Sequence, residues 1–309
     1  MWRRRGVGSA ATAVCDSGAV TDHGPGASGL PAADLRSPAG LLALRSLPGL
    51  GDRHAIRLAT VFGTVEAFNA ASPQERRSVA GLVVDRQVRV EPVDDSDGSV
   101  RTLGYFDAGY PAALRDIEDP PAVLWVSGSL PDPARRIAVV GTRAATAWGA
   151  RTAERIATAA AHAGVSVVSG LALGIDIAAH RAVLRAGGHT TAVLGSGLDR
   201  VSPEEHRADA ERIVEAGGCL LSEQLPGTPA GTRSLVARDR LQSGLCAATV
   251  LVQCGPTSGA MATARFTVEQ GRILDPRRTG RPGAPRPRER RQPRAARRSP
   301  GPAPAVLAP

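Results

Sequence analysis

The chain has 309 residues, enough for one large or two modest domains, and 42% of them are hydrophobic, which excludes wholesale disorder. No apolar run approaches the roughly 18 residues of a membrane-spanning helix. The basic start at Met1 is followed by Gly, Ala and Ser rather than by the apolar core of a secretory signal. The four cysteines lack the spacing of a zinc site or a disulfide framework. These features predict a cytoplasmic protein without a membrane segment or a metal site.

The positive charge is concentrated near the end of the sequence. All 38 basic residues are Arg, and the formal net charge is +9. Residues 275–309 hold 10 Arg against two acids, so the remainder of the sequence is close to neutral. Net charge therefore does not indicate that the folded part binds nucleic acid, and such a function has to be argued from local motifs.

The first third of the sequence predicts a disordered segment followed by a small helical domain. Residues 1–37 are rich in Gly, Ala, Ser and Pro and have no apolar period. Residues 38–92 contain four short helical patterns, and Thr64 and Ser72 stand where helix N-caps are expected. The acidic residues 93–102 are interpreted as a linker.

Residues 103–274 alternate between short apolar strands and helices, which predicts a doubly wound parallel α/β sheet of the Rossmann type. The predicted strands are 137–140, 165–168, 191–194, 219–221 and 249–252, and the predicted helices are about 147–163, 175–187, 203–216, 237–244 and 259–270. Residues 275–309 include nine Pro, and we expect a disordered tail that adds no strand, because Pro removes ladder donors. The sheet is then expected to lack an edge strand.

Glycine-containing turns follow four of the predicted strands. In a sheet of this kind, ligands bind at the carboxyl ends of the strands, where free amides at helix starts favour anions. Arg143 adds a charged fork that suits phosphate. Several turns along one edge predict a row of phosphate subsites, although any α/β sheet also needs glycine there. The predicted contact residues in these turns are Gly141, Thr142, Arg143, Ser169, Gly170, Gly174, Gly195, Gly197, Ser258 and Gly259.

Common catalytic motifs are not legible in the sequence. No GxGxxG follows the first predicted strand, no GxxxxGK[ST] occurs, and no Ser–His–Asp set is apparent. His180 lies four residues after Asp176, a spacing that allows a hydrogen bond on one helical face. A buried pair that orients the helix is favoured over a catalytic pair. Cys219 and Cys254, at strand ends, are interpreted as small core residues.

Over residues 41–272 the sequence resembles the DprA (Smf) family of bacterial DNA-processing proteins. The segments that carry the resemblance are LLALRSLPGLG, GYFDAGYPAALRDIEDPPAVLWVSGSL, IAVVGTR, VVSGLALGID, AAH, VLGSGLDRVSPEEH, GCLLSEQLPGTP, RDRLQSGL and SGAMATARFTVEQGR. The resemblance implies a SAM-like or helix-hairpin-helix-like domain, then an extended Rossmann domain that forms a homodimer. It further implies binding of single-stranded DNA and loading of RecA during natural transformation, with no catalysis, cofactor or metal.

The family pattern also implies DNA-contact positions. Arg143 falls on the family's contact Arg of the first turn, and Arg238 and Arg240 fall on an RxR-type segment, in addition to the turn residues given above. Leu173 stands where the family often has Arg, and Asp239 stands where it has Asn. After Arg272 the sequence departs from the family, which suggests a degenerate C-terminal end.

Two other functions remain open from the sequence. The first is a nucleotide phosphoribohydrolase of the related LOG group, but no Glu is placed as its base, and Glu269 is interpreted as a helix-surface residue. The second is a truncated family member without function. The LPGLG turn, residues 47–51, either holds a DNA phosphate through its amides or merely reverses the chain between two helices. Chain reversal is slightly favoured, because only Arg45 and Arg53 flank the turn.

Overall fold

The computed structural model describes residues 34–91, 98–131, 135–256 and 258–277. Its first part is a group of four helices. They are α1 (Pro38–Arg45), α2 (Asp52–Phe62), α3 (Val65–Ala70) and α4 (Pro73–Ala80). The predicted N-caps are confirmed, since the Thr64 hydroxyl accepts from the Ala67 amide at 3.2 Å and Ser72 forms a capping box with Glu75.

Residues 34–37 are part of the folded structure, so the predicted boundary of the disordered segment at residue 37 is too late. Asp34 forms a β-bridge with Thr64, and the Leu35 amide donates to the Gly63 carbonyl at 2.9 Å. Leu35 is fully buried among the helices, and this burial fixes a segment whose composition otherwise resembles a linker. The rest of the predicted N-terminal disorder lies outside the described residues.

The LPGLG turn joins α1 to α2. Gly49 has φ +80°, which favours glycine, and Leu47 and Leu50 on either side of it are buried. Both flanking arginines are ion-paired, Arg45 with Asp52 at 2.9 Å and Arg53 with Glu118 at 3.6 Å. This arrangement favours chain reversal over phosphate binding.

The sheet has eight strands in the order β1-β2-β6-β5-β4-β3-β7-β8. The strands are β1 (Arg101–Gly104), β2 (Val123–Gly128), β3 (Arg136–Gly141), β4 (Ser166–Ser169), β5 (Thr190–Leu194), β6 (Cys219–Ser222), β7 (Ala248–Val252) and β8 (Ile273–Arg277). The neighbouring strands β6, β5, β4, β3, β7 and β8 pair in parallel, in agreement with the predicted Rossmann-like fold. β1 and β2 add an antiparallel edge that the sequence analysis did not include, and β1 begins inside the predicted linker.

Helices cover both faces of the sheet. They are α5 (Ala112–Arg115), α6 (Ala147–His162), α7 (Ile175–Arg185), α8 (Arg207–Glu215), α9 (Thr232–Gly244) and α10 (Ala260–Glu269). α6, α7 and α8 pack on one face, where Val139 and Val167 contribute to the core, and α5, α9 and α10 pack on the other, where Val140 and Val168 do. Within the described residues, no helix is long and apolar enough to span a membrane.

The strand β8 corrects the prediction that nothing after residue 274 joins the sheet. Pro276 stands opposite Leu251 in a parallel ladder with β7. Pro is tolerated there because β8 is the edge strand, where a missing ladder donor on the outer side has no partner to lose. The sheet therefore has its edge strand, and residues 278–309 lie outside the described part of the chain.

Candidate nucleic-acid interface

A cleft of about 530 Å³ lies at the carboxyl ends of β3 and β7, between the β3–α6 loop, α9 and the start of α10. This is the edge at which ligands bind in open α/β sheets. Half of the predicted contact residues line it. They are Gly141, Thr142, Arg143, Arg238, Ser258 and Gly259.

Arg143 is exposed at the mouth of this cleft. Its guanidinium makes no hydrogen bond or ion pair with any residue that the structure describes. An unpaired guanidinium offers several donors in a planar fork that suits a phosphate. Arg143 is therefore the cleft residue best suited to an anionic ligand.

Gly174 packs closely against the backbone of the loop that carries Arg143. It precedes α7 with φ +77°, and a Cβ on it would clash with the carbonyl oxygens of Thr142 and Arg143. The Ile175 amide donates to the Thr142 carbonyl at 3.2 Å. Gly174 thus supports the position of Arg143 and does not line the cleft itself.

Gly174→Ala is expected to lower the free energy of unfolding by about 1–3 kcal/mol and to weaken binding at the Arg143 loop. Gly187→Ala is the matched control, because Gly187 also has a positive φ (+66°) but faces open space. Thermal melts and ligand titrations of both variants separate the clash from the strain of positive φ. Equal losses in the two variants would contradict a role for the Thr142 and Arg143 contact.

Several backbone amides of these turns are already used within the protein, which leaves fewer of them for the predicted row of phosphate subsites. The Thr142 amide donates to the Gln253 carbonyl at 2.9 Å, and the Gly170 amide donates to Asp176 at 3.1 Å. At the start of α6, the Thr146 hydroxyl accepts from the Gly149 amide at 3.2 Å. These amides are not available to a phosphate.

Ser169 and Gly170 lie below the cleft. The Ser169 hydroxyl is fully buried and donates to the Val139 carbonyl at 2.7 Å. Gly170 packs directly against the Arg238 guanidinium, where any side chain would collide. Both residues pack beneath the floor of the cleft, and neither exposes a surface that a ligand could contact.

The turn after β5 is covered by α9 and by residues 225–228. Gly195 and Gly197 in this turn are therefore not accessible to a ligand. A Cβ on Gly195 would lie 2.9 Å from the Leu235 side chain, and the Gly197 amide donates to the Thr228 carbonyl at 2.9 Å. Both glycines are buried. Their absent side chains allow α9 and residues 225–228 to pack against the turn.

The floor of the cleft, which consists of Asp176, Arg238, Asp239 and Gln242, carries both negative and positive charges. The Arg238 Nε lies 3.0 Å from Asp239 Oδ1, and Asp176 is buried beside them. Burial raises the pKa of Asp239 to about 6, and Asp176 adds to the rise, whereas Arg238 and Arg143 oppose it. Burial likewise raises the pKa of Asp176, against the charge of Arg238. The floor is therefore not strongly cationic.

Arg240 does not lie in the cleft, so its assignment as a DNA-contact residue is wrong. Its guanidinium forms a bidentate ion pair with Glu223, at 2.8 and 2.6 Å, and donates to the Asp119 carbonyl at 2.8 Å. The side chains of Arg240 and Glu223 are 8% and 5% exposed. Arg240 connects α9 to the loop before β2 and has a structural role.

His180 and Asp176 do not form the expected pair. The His180 Nδ1 lies 2.7 Å from the Thr190 hydroxyl, while Asp176 accepts from Gly170. Burial and the charge of Arg238 lower the pKa of His180 to about 3, so the ring is neutral. Among the described residues, no cluster of His, Cys, Asp and Glu suits a metal ion.

Gln242 is a cleft residue that the sequence analysis missed. It lies three residues after Asp239 on α9 and lines the cleft with it. The signal was present, because residues three apart share a helical face. The predicted helix 237–244 already contained both residues, but only its arginines were considered as contacts.

The sequence profile of the family described as DNA recombination-mediator protein A matches residues 101–278. The chain belongs to this family. The match ends at residue 278, so it includes β8, and the family likeness extends past the predicted limit at Arg272.

Curated relatives and solved structures agree with this membership. Protein Smf from Synechocystis sp. is 39% identical over 171 residues, covering 54% of this chain and 43% of the relative. DNA processing protein DprA from Bacillus subtilis is 35% identical over 175 residues, covering 56% and 59%. The chain thus spans about half the length of the curated relatives it matches.

Two DprA structures are similar to the fold. The X-ray structure of DprA from Streptococcus pneumoniae has a TM-score of 0.61 and 26% identity, covering 78% of this chain and 86% of that one. DprA from Helicobacter pylori has a TM-score of 0.50 and 28% identity, covering 57% and 80%. The latter structure is described as showing a single-stranded DNA binding mode.

Proposed function

We propose that this DprA-family chain binds single-stranded DNA at the cleft, without catalysis or a cofactor, and acts as a cytoplasmic homodimeric recombination mediator that loads RecA during natural transformation. The observation that carries the proposal is the exposed Arg143 at the mouth of the cleft, which has no partner among the residues that the structure describes. The description of the H. pylori relative as a single-strand binder supports the same ligand class.

The phosphoribohydrolase alternative has less support. Its only nearby Glu in the sequence, Glu269, is exposed on α10 and lies 3.6 Å from Arg265. It does not line the cleft. The alternative of a truncated, non-functional member is weakened by β8, which supplies the edge strand that such a chain was expected to lack.

A titration of labelled single-stranded DNA at several salt concentrations tests the binding proposal. The logarithm of the affinity should fall linearly with the logarithm of salt, with a slope of about −0.7 per neutralised phosphate. A salt-independent affinity would contradict it. For the mediator role, the ATPase of RecA on DNA coated with single-strand-binding protein should rise when the chain is added.

Removing the arginine-rich tail is expected to reduce DNA affinity but to leave a preference for single-stranded over duplex DNA. The deletion should remove residues 279–309, because β8 reaches Arg277 and must be kept. The eight tail arginines attract any polyanion through counterion release, and they have no reason to prefer the less densely charged single strand. Competition between the two DNA forms measures the preference. A folded truncated protein that binds no DNA would show that the tail was the only binder.

A further inference from the structure

We propose that the floor of the cleft takes one base of the bound strand and that it prefers guanine. This inference rests on the proposed function, since it specifies which base a bound single strand places there. It goes further because phosphate contacts alone carry no sequence information.

Two hydrogen-bond acceptors on the floor have no partner within the described part of the chain. Asp239 Oδ1 is already engaged, since Arg238 Nε lies 3.0 Å from it and Gln242 Nε2 donates to it at 3.1 Å. Asp239 Oδ2 accepts no hydrogen bond from the residues that the structure describes. Gln242 Oε1 is buried and also lacks a partner among them. A buried acceptor of this kind indicates a donor that the free protein does not supply.

The two acceptors belong to one face of α9. Asp239 and Gln242 are three residues apart, and their mutual hydrogen bond fixes both side chains. The hydrogen bond also fixes the orientation of the Gln242 amide, because its nitrogen must be the donor to the carboxylate. The floor therefore offers a ligand the Asp239 carboxylate, and the buried Gln242 amide oxygen belongs to the same face of α9.

Guanine matches this pair better than the other bases. Its Watson–Crick edge carries two adjacent donors, the ring N1–H and the exocyclic amino group. Thymine offers one N–H between two carbonyl oxygens, which the acceptors would repel, and adenine and cytosine place an acceptor nitrogen beside their amino groups. Sites that hydrogen-bond a donor reject analogues that lack it, because the site's buried polar groups stay unpaired.

The rest of the cleft suits a nucleotide in this orientation. Leu235, Val236 and Ala260 contribute apolar surface to the walls, which can contact the faces of a base. The volume of about 530 Å³ lies within the range of small-molecule sites. Arg143 at the mouth is placed for the phosphate, so the base edge points to the floor while the backbone stays outside.

The experiment compares three oligonucleotides of about 12 nucleotides, a length within the site sizes of single-strand binders. They are alternating d(GT), alternating d(IT), in which inosine lacks the amino group, and oligo(dT). Fluorescence anisotropy with the full-length chain should show d(GT) bound at least about fivefold more tightly than oligo(dT), with d(IT) between them.

Asp239→Asn separates base selection from simple charge. The variant keeps the side chain's size and removes its negative charge, so overall DNA affinity should rise while the guanine preference falls below about twofold. Gln242→Met should likewise reduce the preference, without the rise in affinity. If Asp239 were only an unfavourable charge near the strand, Asp239→Asn would strengthen all three oligonucleotides equally and keep their ratios.

Equal affinity of the wild type for d(GT) and oligo(dT), or an unchanged ratio in Asp239→Asn, overturns the proposal. If no oligonucleotide binds, the proposed function fails, and calorimetry with the mononucleotides dGMP and dTMP decides the base preference separately. Tighter binding of dGMP then supports a guanine site, and equal or absent binding overturns it. Melting temperatures of both variants confirm that each is folded.

Discussion

Replacing Arg240 by alanine is expected to lower the free energy of unfolding by about 3–5 kcal/mol, because it leaves the Glu223 carboxylate buried without its partner. The ion pair is bidentate and both side chains are nearly inaccessible. The variant also loses the hydrogen bond from Arg240 to the Asp119 carbonyl, which fixes the chain before β2. Chemical denaturation monitored by circular dichroism measures the loss.

Two further variants make this prediction specific. Arg233→Ala removes an exposed arginine from the same helix and should change the stability by less than about 0.5 kcal/mol. The double variant Arg240→Met with Glu223→Leu should recover most of the loss, since an apolar pair of similar size often replaces a buried ion pair without cost. If Arg240→Ala kept its stability and lost only DNA affinity, Arg240 would be a contact residue after all.

Arg143→Ala is expected to weaken single-strand binding by about 10- to 100-fold, the value of one charge-assisted contact to a phosphate. Unlike Arg240, Arg143 is exposed and has no ion pair among the described residues, so its loss should not change the melting temperature. The slope of affinity against salt should also become shallower by about one phosphate contact. Anisotropy titrations in the truncated chain without residues 279–309 avoid the background of the tail.

Arg151→Ala provides the comparison, because Arg151 is exposed further along α6 and does not line the cleft. Its affinity should stay within about twofold of the wild type. Equal losses from Arg143→Ala and Arg151→Ala would show that binding depends on the general charge of this surface. The cleft would then have no special role.

The order of strands and helices from β3 to β7 was predictable from sequence because each buried strand is a short apolar run that leads into a turn containing glycine or serine. The same reasoning found Arg143, which lies in the turn after the first such strand. It did not find the edge strands β1 and β8, since Arg101–Gly104 is short and Ile273–Arg277 contains a proline. It also missed β2, although Val123–Gly128 is apolar and buried, because this antiparallel strand lies outside the alternation of strands and helices. Edge strands have only one neighbour, so their sequences carry a weaker pattern.

The sequence motif alone does not show that Arg238 and Arg240 on α9 point in different directions. Residues two apart on a helix point about 200° apart, so Arg238 and Arg240 reach opposite sides of α9. One lines the cleft and the other is buried against Glu223. The RxR spacing by itself suggests two equivalent contacts, and only the helix geometry distinguishes them.

The parallel orientation of β8 determines where the arginine-rich tail leaves the sheet. Arg277 stands opposite Val252, and Val252 stands opposite Gly141, so β8 ends at the same edge as the cleft. Two strand spacings separate β8 from β3, or about 10 Å. The last described residue before the arginine-rich tail therefore lies beside the cleft. Under the proposed function, tail and cleft are expected to act on the same strand as a bivalent binder, with an avidity above that of either part alone.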